Sequence, residues 1–99
     1  MEIKKEVNGT TLTVSLIGQL DLAASGNLKK ELDDALKGTK EVIFDLSELT
    51  YVASAGLRVL FMTQKRMAKQ GSMKLIHVRS EVLKILELTR FVDYFKIEQ

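Results

Sequence analysis

Apolar residues along this chain switch between two spacings, and that switching limits the folds open to it. Segments of period two suit strands, and the segments of period 3.6 between them suit helices. From Glu2 to Val7, Ile3, Lys5 and Val7 share one face. Asn8-Gly9 follows, then Thr11 to Ile17, where Leu12, Val14 and Leu16 alternate with Thr11, Thr13 and Ser15. Asn-Gly between two alternating segments is a strong hairpin signal, and Gly18 reads as the end of the second strand. Ala24 to Leu36 carries Leu28, Leu32, Ala35 and Leu36 at helical spacing, with Asp21 or Ser25 to cap the start and Gly38 to end it. Glu41 to Asp45 reads as a short strand buried on both faces. Ser54 to Gln70 forms a second helix. Leu57, Leu60, Phe61, Gln64, Met67 and Ala68 line its inner face, and Gly71 suits a left-handed position just past its end. Lys74 to Val78 is a further strand, Glu81 to Leu88 a third helix capped by Ser80, and Tyr94 to Ile97 a last strand or extended tail.

The order β-β-α-β-α-β-α-β implies an α/β fold. Its expected form is a mostly parallel sheet with right-handed crossovers, an N-terminal antiparallel hairpin and three helices. The chain has 99 residues and every gap between elements is short, so one domain over 1–99 is expected.

Composition removes several chemistries. Without Cys there is no disulfide, thiolate nucleophile or Cys-ligated metal, and a single His cannot form a metal-binding cluster. A phosphate-binding Gly-rich loop is missing, so no cofactor is implied. No apolar run approaches the roughly 18 residues that cross a bilayer, so no membrane insertion is expected. The first residues have no apolar signal core, which makes the cytosol the default compartment. Met62, Met67 and Met73 read as packing residues.

Charge is distributed unevenly. Leu49 to Ser80 holds Arg58, Lys65, Arg66, Lys69, Lys74 and Arg79 and no acid, while the rest of the chain carries nine Lys and Arg against thirteen Asp and Glu. A basic segment on an acidic body suits an anionic partner or a solvated helix face. Only Tyr51 and Phe61 are aromatic in that segment, too few to interleave with bases, so nucleic acid is not the expected partner.

The informative stretch runs from Phe44 to Leu57, from a strand end into the basic helix. Ser54 falls at the helix start, followed by the small residues Ala55 and Gly56. One reading makes Ser54 an N-cap. Against it, Leu57 stands where a capping box would have Glu or Gln, and Gly56 in the first turn suggests a need for backbone access. The functional reading is a phosphorylatable serine. A phosphate there would meet free N–H groups at the positive end of the helix dipole, leave the fold intact and change the surface charge. Arg58, one turn on, is either a contributor to that phosphate site or a solvated charge. A nucleophilic serine would need a base; His77 is the one imidazole, with no evident orienting acid, and Gly-x-Ser-x-Gly is absent. Asp21 reads as a helix-start carboxylate, Asp45 as a turn-forming Asp, and Tyr51 as either an exposed anchor or a core residue.

These residues together resemble the STAS domain (sulphate transporter and anti-sigma factor antagonist), specifically the stand-alone bacterial anti-sigma factor antagonists. Gly18-Gln19-Leu20-Asp21 is similar to the family's Gly-x-hydrophobic-Asp. Asp45-Leu46-Ser47 and Ser54-Ala55-Gly56-Leu57 resemble its approach and core motifs. Gln70-Gly71 with Lys74-Leu75, and Leu86 to Phe91, resemble later ones. The resemblance implies a non-enzymatic protein that binds an anti-sigma factor, usually a serine protein kinase, and so releases a sigma factor. The kinase phosphorylates the serine that falls on Ser54, and a serine phosphatase restores it. The implied docking surface comprises Asp21, Tyr51, Ala53, Ala55, Gly56, Leu57 and Arg58. Two departures stand out: Ala53 replaces a frequent Asp, and Arg90 replaces a frequent Gly. Stand-alone STAS domains also serve as accessory subunits of membrane ABC lipid-transport systems, which is the alternative role.

Overall fold

The computed structural model describes residues 1–99. Strands β1 (Glu2–Asn8) and β2 (Thr11–Leu20) form the expected hairpin, with Asn8 paired to Thr11 across the turn. Helix α1 (Leu22–Ala35) leads to β3 (Glu41–Val52), α2 (Ser54–Gln70) to β4 (Ser72–Ile76), and α3 (Ser80–Leu88) through a 3-10 turn at Phe91–Tyr94 to β5 (Ile97–Glu98). The sheet order is β1-β2-β3-β4-β5; β1 and β2 are antiparallel and the other pairs parallel.

That order decides the layering. Each parallel strand lies directly beside the last, and right-handed crossovers advancing in one direction put every helix on the same face of the sheet. Burial agrees. Leu12, Val14 and Leu16 of β2 and Val42, Phe44 and Leu46 of β3 are buried in one core with Leu28, Leu32, Leu57, Leu60, Met67 and Leu86 of the helices. The alternate residues Thr11, Thr13, Ser15, Glu41, Ile43 and Asp45 are only half-buried. β3 is therefore not covered on both faces, and its apolar run reflects a central position in a one-sided sheet.

Several boundaries move, each for a local reason. β2 continues past Gly18, which adopts φ 111° inside the strand. The ladder with β3 shifts register between Ser15 and Ile17 and again between Gly18 and Gln19. Glycine permits the irregularity without ending the strand. β3 continues to Val52 for the same reason, its far half paired with β2 beyond those shifts. α1 starts two residues early because Asp21 is the cap: its Oδ1 accepts from the Ala24 N–H at 2.9 Å. Ser25 is buried and donates instead to the Asp21 carbonyl at 2.6 Å. Ser80 is the first residue of α3, with Arg79 at the cap position. β4 begins and ends earlier than expected, and Tyr94 to Lys96 are not strand. In α2, Ala68 is exposed and Thr63 takes the buried place, its hydroxyl donating to the Val59 carbonyl at 2.7 Å. Met67 and Met73 are core residues, but Met62 is 54% exposed.

Gly71 has φ 176°, which is extended and not left-handed. Its requirement is steric: a β-carbon there would run into the Lys40 carbonyl, to which the Ser72 N–H donates at 2.9 Å. Gln70 fastens the same junction, its Nε2 donating to the Leu36 and Thr39 carbonyls at 2.7 Å each. Arg90 does occupy the left-handed region, at φ 65°, which is why glycine suits that position. Beyond it, Tyr94 and Phe91 meet Phe61 edge-on at 5.2 and 5.8 Å between ring centroids, pinning the tail to α2.

Two glycines should respond oppositely to alanine. Gly26 is exposed within α1 and its β-carbon would meet nothing, so Gly26→Ala should stabilise by about 0.5–1 kcal/mol. Gly71→Ala should destabilise by about 1–3 kcal/mol through overpacking against Lys40. Urea unfolding of the two variants checks both signs.

Candidate functional site

α1 and α2 both begin at the C-terminal ends of parallel strands, side by side. Leu20 pairs with Val52 on the last rung of the β2–β3 ladder, and just beyond it the Ala53 N–H donates to the Leu20 carbonyl at 2.9 Å. Asp21 and Ser54 are the residues that follow, so the two helix starts share one edge of the sheet.

Ser54 is not the N-cap. Ala53 holds that position with extended φ −82° and ψ 168°, and its methyl group cannot cap. The first helical backbone bond runs from the Leu57 N–H to the Ala53 carbonyl at 3.0 Å. The amides of Ser54, Ala55 and Gly56 therefore have no acceptor within the helix. Side-chain hydrogen bonds in α2 come from Thr63, Arg66 and Gln70, none from Ser54. Ser54 is exposed, and the first turn contains no acid. A hydroxyl so placed is open to an enzyme, and a phosphate on it would lie at the positive end of the dipole.

Gly56 has a different purpose from backbone access. It is buried, and a β-carbon would come within 2.7 Å of Leu20 Cγ and Cδ2 and 2.9 Å of Val52 Cγ2. Glycine lets the first turn of α2 sit directly on the strand ends. Leu57 is likewise buried, at 3% exposure. Both were expected on a docking surface, but both are buried beneath the exposed Ser54. Asp21, Tyr51 and Arg58 are exposed, and Ala53 and Ala55 are half-buried around the serine.

Leu22 is also exposed at this edge. It is the first residue of α1, follows Asp21 and is 76% exposed; Tyr51, at the end of β3, is 44% exposed. Two large apolar side chains thus stand in water beside Ser54. The sequence signal for Leu22 is that it falls out of phase with Leu28 and Leu32, but it shows only once α1 is known to start at Asp21.

Asp45 and His77 form a second polar group. Asp45 Oδ1 accepts from the Ser47 N–H at 3.0 Å, as a turn-forming Asp does, and lies 3.4 Å from His77 Nδ1. His77 therefore does have a carboxylate beside it, contrary to expectation, and it adopts φ 54° just past β4. Burial raises the affinity of Asp45 for its proton, but the Ser47 amide and hydroxyl and His77 together outweigh it and hold the carboxyl below its ordinary range. These residues cannot serve Ser54. Val52 lies seven positions beyond Asp45 along β3, about 20 Å of extended strand, so no Ser-His-Asp triad forms. No three His, Asp or Glu side chains converge to hold a metal, and no helix is long and apolar enough to cross a membrane.

Because the folded-state carboxyl of Asp45 is more acidic than in the unfolded chain, its contribution to stability is present above the unfolded value of 3.8 and is lost as pH falls through the lower folded value. Asp45→Asn should therefore destabilise at neutral pH, and the difference from wild type should shrink below about pH 4. Urea midpoints across an acid pH series check it.

Comparison with known proteins follows the same outline. The family model of the STAS domain matches residues 2–99. BtrV of Bordetella bronchiseptica, named as an anti-sigma factor antagonist, is 32% identical over 88 residues, covering 87% of this chain and 76% of BtrV. Among solved structures, the anti-sigma factor antagonist SpoIIAA in its unphosphorylated form superposes with a TM-score of 0.84 at 17% identity, covering 99% of this chain and 89% of SpoIIAA. An anti-sigma factor antagonist from Mycobacterium paratuberculosis gives 0.86 at 18% identity, with 97% and 83% covered. A sulfate transporter family protein from Wolinella succinogenes gives 0.79 at 18%, with 94% and 80% covered. At these identities the structural matches establish the fold.

Proposed function

The chain belongs to the STAS domain family, and from that premise we propose that it is an anti-sigma factor antagonist switched by phosphorylation of Ser54. The observation that carries this is an exposed serine at the first position of α2, uncommitted to capping and raised above the buried Gly56 and Leu57. BtrV and SpoIIAA, both named as anti-sigma factor antagonists, support the choice of partner.

In the unmodified state, the surface formed by Asp21, Leu22, Tyr51, Ala53 and Ser54 docks an anti-sigma factor of the serine-kinase type, with Leu22 and Tyr51 as apolar anchors. Such anchors gain most when a partner covers them fully. The partner's release of its sigma factor is the output.

Inactivation is a phosphoryl transfer. The kinase moves the γ-phosphoryl group of ATP onto Ser54 Oγ. The bond from the γ-phosphorus to the bridging oxygen breaks, the Oγ–P bond forms, and the hydroxyl proton passes to a base on the kinase. A serine phosphatase reverses the state with water, yielding serine and inorganic phosphate. The phosphate adds about −1.5 to −2 charge between Leu22 and Tyr51, where a docked partner would have to desolvate it. Orphan amides and the dipole accommodate the same charge without disturbing α2. The switch therefore acts on the outside of the molecule.

The chain has the side chains to be a substrate and a ligand in this scheme. Catalysis belongs to its partners. An accessory role beside a lipid-transport ATPase would use the same fold without a phosphate, and co-purification with such an ATPase would point there.

Ser54→Ala should bind the anti-sigma factor like the unmodified protein, whereas Ser54→Asp should weaken binding by at least about tenfold, or 1.4 kcal/mol. Both should melt within about 1 °C of wild type, a shift too small to signal lost structure. Titration calorimetry with a candidate anti-sigma factor of the serine-kinase type, and intact mass after incubation with that kinase and ATP, provide the tests. Equal affinity of the two variants would reject the switch.

A further inference from the structure

We propose that the groove between α1 and α2 receives an acidic amphipathic helix from the binding partner. This rests on the reading of the chain as a docking module, and it names the element that docks. The groove encloses about 310 Å³ and starts one turn beyond Ser54, at Arg58. Its apolar lining is Leu32 of α1, Leu36 at the end of that helix, and Val59 and Met62 of α2. Met62 is a large apolar side chain left 54% exposed on an otherwise charged face of the helix. A flexible thioether in that setting suits a surface that adapts to an incoming side chain.

The rim decides the charge of the occupant. Lys29, Arg58 and Arg66 line the groove against one acid, Asp33. Asp33 is already paired with Lys29 at 3.6 Å, and Arg66 also donates to the Asp33 carbonyl at 3.5 Å. α2 carries Arg58, Lys65, Arg66 and Lys69 with no acid anywhere between Ser54 and Gln70. None of those four cations takes part in an ion pair within the molecule. The groove thus offers unpaired positive charge along its α2 wall, from Arg58 and Arg66, while Lys29 and Asp33 neutralise each other on the α1 wall; that is the complement of carboxylates beside an apolar stripe.

Two helices side by side present ridges and a trough into which a third helix lays its apolar face at i, i+3, i+4 and i+7. A nucleic-acid strand fits less well, because the groove contains no aromatic side chain on which a base could stack. Continuity with Ser54 links this element to the switch: a partner helix lying in the trough with one end at Arg58 would meet the serine one turn further on.

The test titrates the isotope-labelled full chain with a synthetic helical peptide of about four turns. Leucines occupy its i, i+3, i+4 and i+7 positions, with glutamates flanking them. A peptide with lysine for each glutamate, and a single-stranded DNA oligonucleotide, serve as the alternative occupants. The expected result is saturable binding of the acidic peptide alone, with amide shifts concentrated at Val59, Met62 and Arg66 and absent from Thr13 on the open sheet face. Arg58→Glu with Arg66→Glu should weaken it at least tenfold, and Met62→Ala several-fold, with unchanged thermal melts. Shifts elsewhere, no saturation, or equal binding by the basic peptide or the oligonucleotide would overturn the proposal. The Ser54 comparison separates the two readings. If Ser54→Asp still breaks the anti-sigma complex while the peptide fails, the groove falls and the switch stands; the converse removes the switch and keeps the groove.

Discussion

The close seating of Gly56 on Leu20 and Val52 fixes where α2 begins, and the rest of the site follows from that. With no side chain between helix and strands, the first turn is pressed onto the end of the β2–β3 ladder. Ala53 then bridges to the Leu20 carbonyl and takes the cap position, leaving Ser54 one step further out with its side chain in water. A bulkier residue at position 56 would lift or tilt the helix and change which atoms reach the surface. Packing beneath the serine thus sets the exposure above it.

The same edge gathers features that are scattered in sequence. Asp21 caps α1, Leu22 begins it, Tyr51 closes β3, and Ser54 opens α2. Parallel strands joined by right-handed crossovers deliver consecutive helix starts to a single edge, so a small domain can assemble one continuous surface from short segments. Charge is arranged on a longer scale. The basic α2 runs away from that edge beside the more acidic α1, and the trough between them extends the surface past the serine.

Much of this was legible in the sequence because local signals agreed. Asn8-Gly9 between alternating residues marked the hairpin, and the apolar stripe from Leu57 to Met67 marked α2 with its observed ends. The crossover order gave the topology. What the sequence concealed was set by contacts between distant segments. The continuation of β2 and β3 depends on register shifts that pair Ile17 with Glu48 and Leu20 with Val52, and no window along the chain displays them. Gly56 looked like an opening in the backbone and proved to be a point of close contact. His77 gained Asp45 as a neighbour only because β3 and β4 lie side by side. Leu22 became visible as a surface residue only when Asp21 proved to be the cap.

A sheet clothed by helices on one side has a second consequence. Thr11, Thr13, Ser15 and Glu41 line strands whose backbone is fully bonded, yet their side chains answer to water more than to the core. Mutation can drift there at little thermodynamic cost, while the inner residues of the same strands stay bound by packing. A shared backbone shape at 17% or 18% identity, as with SpoIIAA and the mycobacterial protein, is what such unequal freedom permits. The backbone shape is held by the half of each strand that solvent never sees.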